Sequence, residues 1–241
     1  MKIIKKHQKL IVFVITCLSI YFIYNYSGEQ NKITYITLGD GYAEGLNSYQ
    51  QTSYGYSDYL KDYYEERDEL KFYYDGYTNK EMTLKDLKKD IELNTREKDG
   101  HTSIKEALRE SNLLTMSVGL NDIRHKLSEC NQITQNDEKR IEKEITNQVE
   151  ETIKELRKYY KYDIYIIEYP NLYPQNSVER RLLTKLNNKY KSLSKEKHTV
   201  FVENSEIEKN KEKYVENSKT IYLNSFGYKK IFENIKANIE K

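Results

Sequence analysis

Proline and cysteine are scarce in this chain and neither sign of charge dominates; each shortage removes a class of protein. Two prolines and nine glycines in 241 residues exclude collagen-like and low-complexity disordered chains, which are far richer in both. The two cysteines, Cys17 and Cys130, make no disulfide framework, because Cys17 lies inside an apolar run and leaves Cys130 alone in the remainder. Histidine is limited to His7, His101, His125 and His198. There is no H-x-x-x-H or C-x-x-C spacing, so neither a metal site nor a cofactor is expected. The formal net charge is +2, from 40 basic and 38 acidic residues. Lys2, Lys5, Lys6 and Lys9 precede the apolar run, which leaves 36 basic against 38 acidic residues, about −2. Without a basic excess, no nucleic-acid partner is expected.

What is present is enough for one α/β domain with a core. Hydrophobic residues make up 37%, and 24 tyrosines add amphipathic bulk, which suggests a core with a tyrosine-rich margin. The N-terminus divides from the rest. Residues 1–9 are basic, and residues 10–24 (LIVFVITCLSIYFIY) are almost wholly apolar, the pattern of a signal segment. The 15-residue run is short for a span of about 20 residues, but Asn25-Tyr26 extends it with an interfacial anchor. No small-x-small cleavage site follows. Residues 1–30 are therefore read as a signal anchor that meets the cytoplasmic membrane through residues 10–26. Residues 31–241 form one extracytoplasmic domain, with secretion after cleavage as the alternative.

From Asn31 onward, strand-like and helix-like stretches alternate. Ile33–Leu38 reads as a buried strand stopped by Gly39-Asp40-Gly41, a turn whose glycines can take positive φ. Further strands are expected at 71–74, 112–118, 162–169 and 199–203. Helical spacing marks 55–67, 83–91, 103–109, 136–160, 177–195 and 225–239, while 205–219 is polar and of no clear type. Thr83 to Asp86 resembles a capping box. The strands are some 28 to 45 residues apart, which suits helical crossovers and not hairpins. A three-layer α/β/α sandwich with a five-stranded parallel sheet follows. In the order 2-1-3-4-5, the first and third strands end side by side at the switch point.

Those two ends carry Gly39-Asp40-Gly41 and Gly119-Leu120-Asn121-Asp122, and Asn224-Ser225-Phe226-Gly227-Tyr228 introduces the last helix. Together these blocks resemble the SGNH (GDSL-type) hydrolases over roughly residues 33–240. The resemblance implies a flavodoxin-like fold and an acyl-ester hydrolase. In that family a serine follows Gly-Asp, a histidine near the C-terminus serves as base, an aspartate three residues earlier orients it, and a glycine and the asparagine supply oxyanion donors. A serine needs such a base to become nucleophilic, and the tetrahedral intermediate needs fixed donors.

Carried over by position, most of these roles fail. The serine position is Gly41, the histidine Tyr222, the aspartate Lys219, and the oxyanion glycine falls on Glu81, a carboxylate that would repel developing negative charge. Asn121 alone survives; it either fixes its loop or keeps a ligand contact. His125, just past Asn121 and expected on a solvent-facing helix, is the one histidine near the expected crevice. No catalytic residue is therefore expected. Asp40, Gly41, Asn121 and Tyr222 are the candidates for binding an acyl, glycan or protein ligand. The sequence is read as a pseudoenzyme that binds or scaffolds. The alternatives are an esterase using non-standard residues and a structural envelope protein whose crevice is closed by Tyr222 and Glu81.

Overall fold

The computed structural model describes residues 14–19, 32–97, 100–130, 132–196, 198–217 and 220–241. Five strands, β1 (Ile33–Gly39), β2 (Leu70–Tyr74), β3 (Leu113–Ser117), β4 (Ile164–Ile167) and β5 (Thr199–Val202), form one sheet. Its order is β2-β1-β3-β4-β5 and every pairing is parallel, as expected. The helices are α1 (Tyr56–Glu65), α2 (Leu84–Leu93), α3 (Ile104–Glu110), α4 (Leu120–Ser128), α5 (Gln135–Leu156), α6 (Val178–Leu193), α7 (Ser205–Lys209), α8 (Lys211–Tyr214) and α9 (Ser225–Ile239). A right-handed crossover puts α1 on one face of the sheet, where α9 packs against it; α2, α5 and α6 pack side by side on the other. The stretch 205–219, given no type from sequence, contributes the short helices α7 and α8.

Local sequence accounts for most of these elements. β3 and β4 are buried at every position, as the central strands of a doubly covered sheet must be. The edge strand β2 leaves Lys71 and Phe72 exposed. Thr83 and Asp86 form the capping box at α2, each side chain bonded to the other's backbone N–H; Thr134 and Asp137 repeat it at α5. The stripe Ile141, Ile145, Val149, Ile153 and Leu156 is buried as its spacing requires.

The tyrosines depart from expectation. They form the centre of the core and not only its margin. Tyr35, Tyr42, Tyr56, Tyr169, Tyr190 and Tyr228 are at most 1% exposed. Each hydroxyl has a partner: Thr115, the Ile221 carbonyl, Ser117, Asp40, and the Val118 and Leu46 carbonyls respectively. A buried phenol costs little once its hydroxyl is bonded, and its ring then adds large apolar area.

Residues 14–19 are helical; the rest of the expected anchor at 10–26 lies outside the described residues. Among the described residues, no helix is long and apolar enough to cross a membrane.

Candidate functional site

The two glycine-rich strand ends meet in the sheet itself. Gly39 pairs with Ser117, and the Asp40 N–H donates to the Ser117 carbonyl at 2.8 Å. Gly39 has φ +139°, and a Cβ there would stand 1.8 Å from the Ser117 oxygen, so only glycine fits. Gly119 also has positive φ, at +112°, where β3 gives way to α4. The expectation of positive φ holds for Gly39 and not for Gly41, whose backbone lies outside that region.

Asp40 is a structural carboxylate. It is 1% exposed, and its two oxygens accept from the Tyr169 hydroxyl at 2.6 Å and the Tyr42 N–H at 3.1 Å. Burial pushes its pKa up to about 7, opposed by those two hydrogen bonds. Asp122 is also buried and accepts from the Leu84 N–H at the start of α2, 2.9 Å away. Burial raises it to about 6.

Gly41 is glycine for lack of room. A Cβ would lie 2.6 Å from Leu46 Cδ1 and 3.0 Å from Tyr222 Cε1. The space that a side chain at position 41 would take therefore belongs to a leucine and a tyrosine. Tyr222 is 5% exposed and packs on Tyr42, with ring centroids 5.9 Å apart. Tyr42 is in turn edge-on to Tyr169 and Tyr228 at 5.0 and 6.0 Å. Burial, with the charge of Asp40, raises the Tyr222 hydroxyl to about 12, against the attraction of Arg124.

Asn121 fixes its loop. Its Nδ2 donates to the carbonyls of Lys80 and Met82 at 2.8 and 3.1 Å, and its Oδ1 accepts from Arg124 at 3.3 Å. Both amide protons are committed to backbone oxygens, the arrangement that the loop-fixing role requires. Glu81 sits in the tethered loop, exposed, with its charge acting on Tyr222. Lys219 lies outside the described residues. His125 is exposed on α4, as are His101 and His198 in their loops; His7 lies outside the described residues. Among the described residues, no group of three or more His, Cys, Asp or Glu is placed to hold a metal.

Sequence reasoning missed the residues that close this region: Leu46, Tyr42, Tyr169 and Arg124. Arg124 follows Asn121 by three positions on α4, so one helical turn brings both to the same face; that spacing was the available signal. Tyr42 and Tyr169 carry none, because their partners are remote in sequence. Chemically the cluster lacks a nucleophile–base pair. Ser48, the hydroxyl held against it, donates to the Tyr222 carbonyl at 3.3 Å and has no bonded histidine or carboxylate among the described residues.

The profile of the GDSL-like lipase/acylhydrolase family matches residues 35–235, and no curated protein sequence gives a significant match. Several solved structures share the fold. The lipase Lip_vut3 from a goat rumen metagenome superposes with a TM-score of 0.67 at 15% identity, covering 84% of this chain and 95% of that one. A variant of Axe2, an acetyl-xylooligosaccharide esterase from Geobacillus stearothermophilus, gives 0.62 at 14%, covering 85% and 93%. A member of the lipolytic G-D-S-L family from Veillonella parvula gives 0.59 at 10%, covering 84% and 96%. At such identities the likeness speaks for the fold alone. With a profile match from β1 to the last helix and the Gly-Asp and Gly-x-Asn-Asp blocks joined at one sheet end, the chain belongs to the GDSL-like lipase/acylhydrolase family.

Proposed function

We propose that this GDSL-family domain does not hydrolyse esters and acts as a binding or scaffolding module, held outside the cytoplasmic membrane by residues 10–26. One observation carries the reading: the nucleophile position is Gly41, and Leu46 and Tyr222 fill the space its side chain would take. Two others support it. The base position holds a tyrosine whose hydroxyl titrates near 12, far from what a general base at neutral pH requires. The asparagine that would donate to an oxyanion is bonded to Lys80 and Met82. Binding at Asp40, Gly41, Asn121 and Tyr222, all buried, would require Tyr222 to swing out. Room for a ligand lies beside them, where Thr78 pairs with Gly39. A cleft of about 620 Å³ there is lined by Ala43, Tyr54, Tyr73, Asp58 and Asp75, with no Lys, Arg or His among the described residues of its wall. That volume suits a small glycan or a short peptide, and the carboxylates disfavour an anionic acyl ligand.

The test is chemical. The purified chain should take up no fluorophosphonate label and should hydrolyse p-nitrophenyl acetate no faster than buffer. Saturable hydrolysis that is abolished by His125→Ala would overturn the reading. The family frame is tested separately by combining Gly41→Ser, Tyr222→His, Lys219→Asp and Glu81→Gly: esterase activity in that variant, absent from the parent, marks an altered site on an intact frame. For the location, protease added to intact protoplasts should remove residues 31–241, and a protected domain would refute the tether.

A further inference from the structure

The end of the sheet opposite Gly39 is where the chain enters the domain. Asn112 clasps the residues there: its Nδ2 donates to the Lys32 carbonyl at 3.1 Å, and its Oδ1 accepts from the Thr34 N–H at 2.9 Å. Leu114 pairs with Ile164, so Tyr162 leads into β4 at the level at which Asn112 leads into β3. Neighbouring strands lie about 4.8 Å apart, which puts the Tyr162 loop about 10 Å from the point of entry. Five residues, 27–31, separate Lys32 from the segment 10–26. Fully extended, a stretch of that length reaches about 20 Å. β1 carries Gly39 roughly 20 Å farther on. Residues 10–26, once in a bilayer, therefore hold the Lys32 end of the sheet close to it.

The side chains at this end are polarised. Under β3 and β4, the Lys105 ammonium and the Arg109 guanidinium both stand over the Tyr159 ring, each 5.1 Å from its centroid, and Lys161 stands over Tyr162 at 5.0 Å. Arg109, Lys161 and Tyr162 are exposed, while Lys105 and Tyr159 are half-buried. These three cations form no ion pair among the described residues, whereas the acids around them are engaged. Glu92 pairs with Lys88, Glu155 with Lys158 and Asp163 with His198. Glu110 turns to the Tyr74 hydroxyl at 2.8 Å, on the β2 side, and the charge of Glu106 acts on the same hydroxyl. Lys195 and Glu196, next along under β5, offset each other. The β2 corner has the opposite sign, with the run Glu65-Glu66-Arg67-Asp68-Glu69. Tyrosines beside unpaired basic side chains are the composition of a surface that meets lipid headgroups.

We propose that the β3–β4 corner of this end docks on the bilayer, with Lys105, Arg109 and Lys161 on anionic phospholipid headgroups and Tyr159 and Tyr162 at headgroup level. The proposal rests on the tether read from residues 10–26 and adds an orientation to it. The domain leans on the basic corner, the acidic β2 corner stands off, and the cleft beside Gly39 opens away from the lipid. Each basic side chain near an anionic surface strengthens attachment by about fivefold. The three together therefore favour the docked over the free domain by about a hundredfold.

The chain has no tryptophan, so one introduced at a chosen place is a clean reporter. Tyr162→Trp, Phe72→Trp and Tyr49→Trp replace exposed rings in the basic corner, on the β2 edge and in the loop at the Gly39 end. Each full chain is reconstituted into phosphatidylcholine vesicles, with or without phosphatidylglycerol, that carry brominated acyl chains as quencher. In the anionic vesicles the Tyr162→Trp reporter should be quenched and blue-shifted, and the other two should not. Adding Lys105→Gln, Arg109→Gln and Lys161→Gln should lower the ratio of docked to free domain about a hundredfold and so abolish the quenching. Salt at about 1 M, where the screening length is about 3 Å, should do the same in the parent, and neither change should release the chain from the vesicles. In chains that float with the vesicles, a Tyr162→Trp reporter no more quenched than Tyr49→Trp overturns the docking and leaves the tether standing. Quenching that survives both the triple substitution and salt, or that is equal at Phe72→Trp, overturns it too. Flotation with anionic vesicles alone, lost on the triple substitution, supports the docking and refutes the tether; a chain that floats with neither lipid refutes both.

Discussion

Gly41→Ser on its own is the sharpest probe of why this region looks as it does. The backbone at Gly41 has no positive φ, so a serine meets no torsional penalty there, and any cost comes from space. Its Cβ would approach Leu46 Cδ1 to 2.6 Å and Tyr222 Cε1 to 3.0 Å, and both neighbours are buried, at 3% and 5% exposure. Forcing extra atoms into such a place costs about 1–3 kcal/mol. A hydroxyl left without a partner adds roughly 1–3 kcal/mol. A total of about 2–6 kcal/mol is expected, which for a domain of this size lowers the melting temperature by about 4–24 °C. Urea titration of a double-mutant cycle isolates the steric part. Leu46→Ala alone should cost about 2–5 kcal/mol, but it also vacates the space that the serine needs. The double variant should therefore be more stable than the sum of the single effects by about 1–3 kcal/mol. Strict additivity, or a Gly41→Ser cost below about 0.5 kcal/mol, would show that the glycine is not there for lack of room.

Asn121→Ala removes the donor to the carbonyls of Lys80 and Met82 and should destabilise by about 2–4 kcal/mol; a denaturation midpoint like that of the parent would mean the loop is held by something else. Gly39→Ala should abolish soluble folding, because its Cβ falls 1.8 Å from the Ser117 oxygen at φ +139°, and a folded variant would refute the close approach of β1 and β3. The pH dependence has a definite sign. Asp40 titrates near 7 in the fold and near 4 in the unfolded chain, so the folded state binds more protons between those values. Stability then falls as pH rises through that window and levels off above it. Relative to Asp40→Asn, the parent should lose stability between about pH 4 and pH 7, read from urea midpoints; parallel profiles would place the proton elsewhere.

Much of this was legible from residue order. The alternation of apolar runs with amphipathic stretches set the sheet, its parallel sense and its order, because a crossover of 28 residues or more admits few other paths. The blocks at Gly39 and Gly119 marked the strand ends that meet. Thr83 with Asp86 announced its own cap. These are local facts, carried by neighbours in the chain or by the period of a helix or strand.

What the tertiary structure alone decided is the use to which the polar side chains are put. Asn121 bonds a loop 39 to 41 residues away, a contact that its place in the sequence does not show. Tyr42 reaches the Ile221 carbonyl across 179 positions, and Tyr228 reaches Leu46 across 182, so tyrosines expected at the margin stand at the centre. Leu46 and Tyr222 close on Gly41 from stretches with no periodic relation to it. A sequence reveals which groups can donate or accept; which of them meet is fixed only when the folded chain brings distant segments within hydrogen-bond reach.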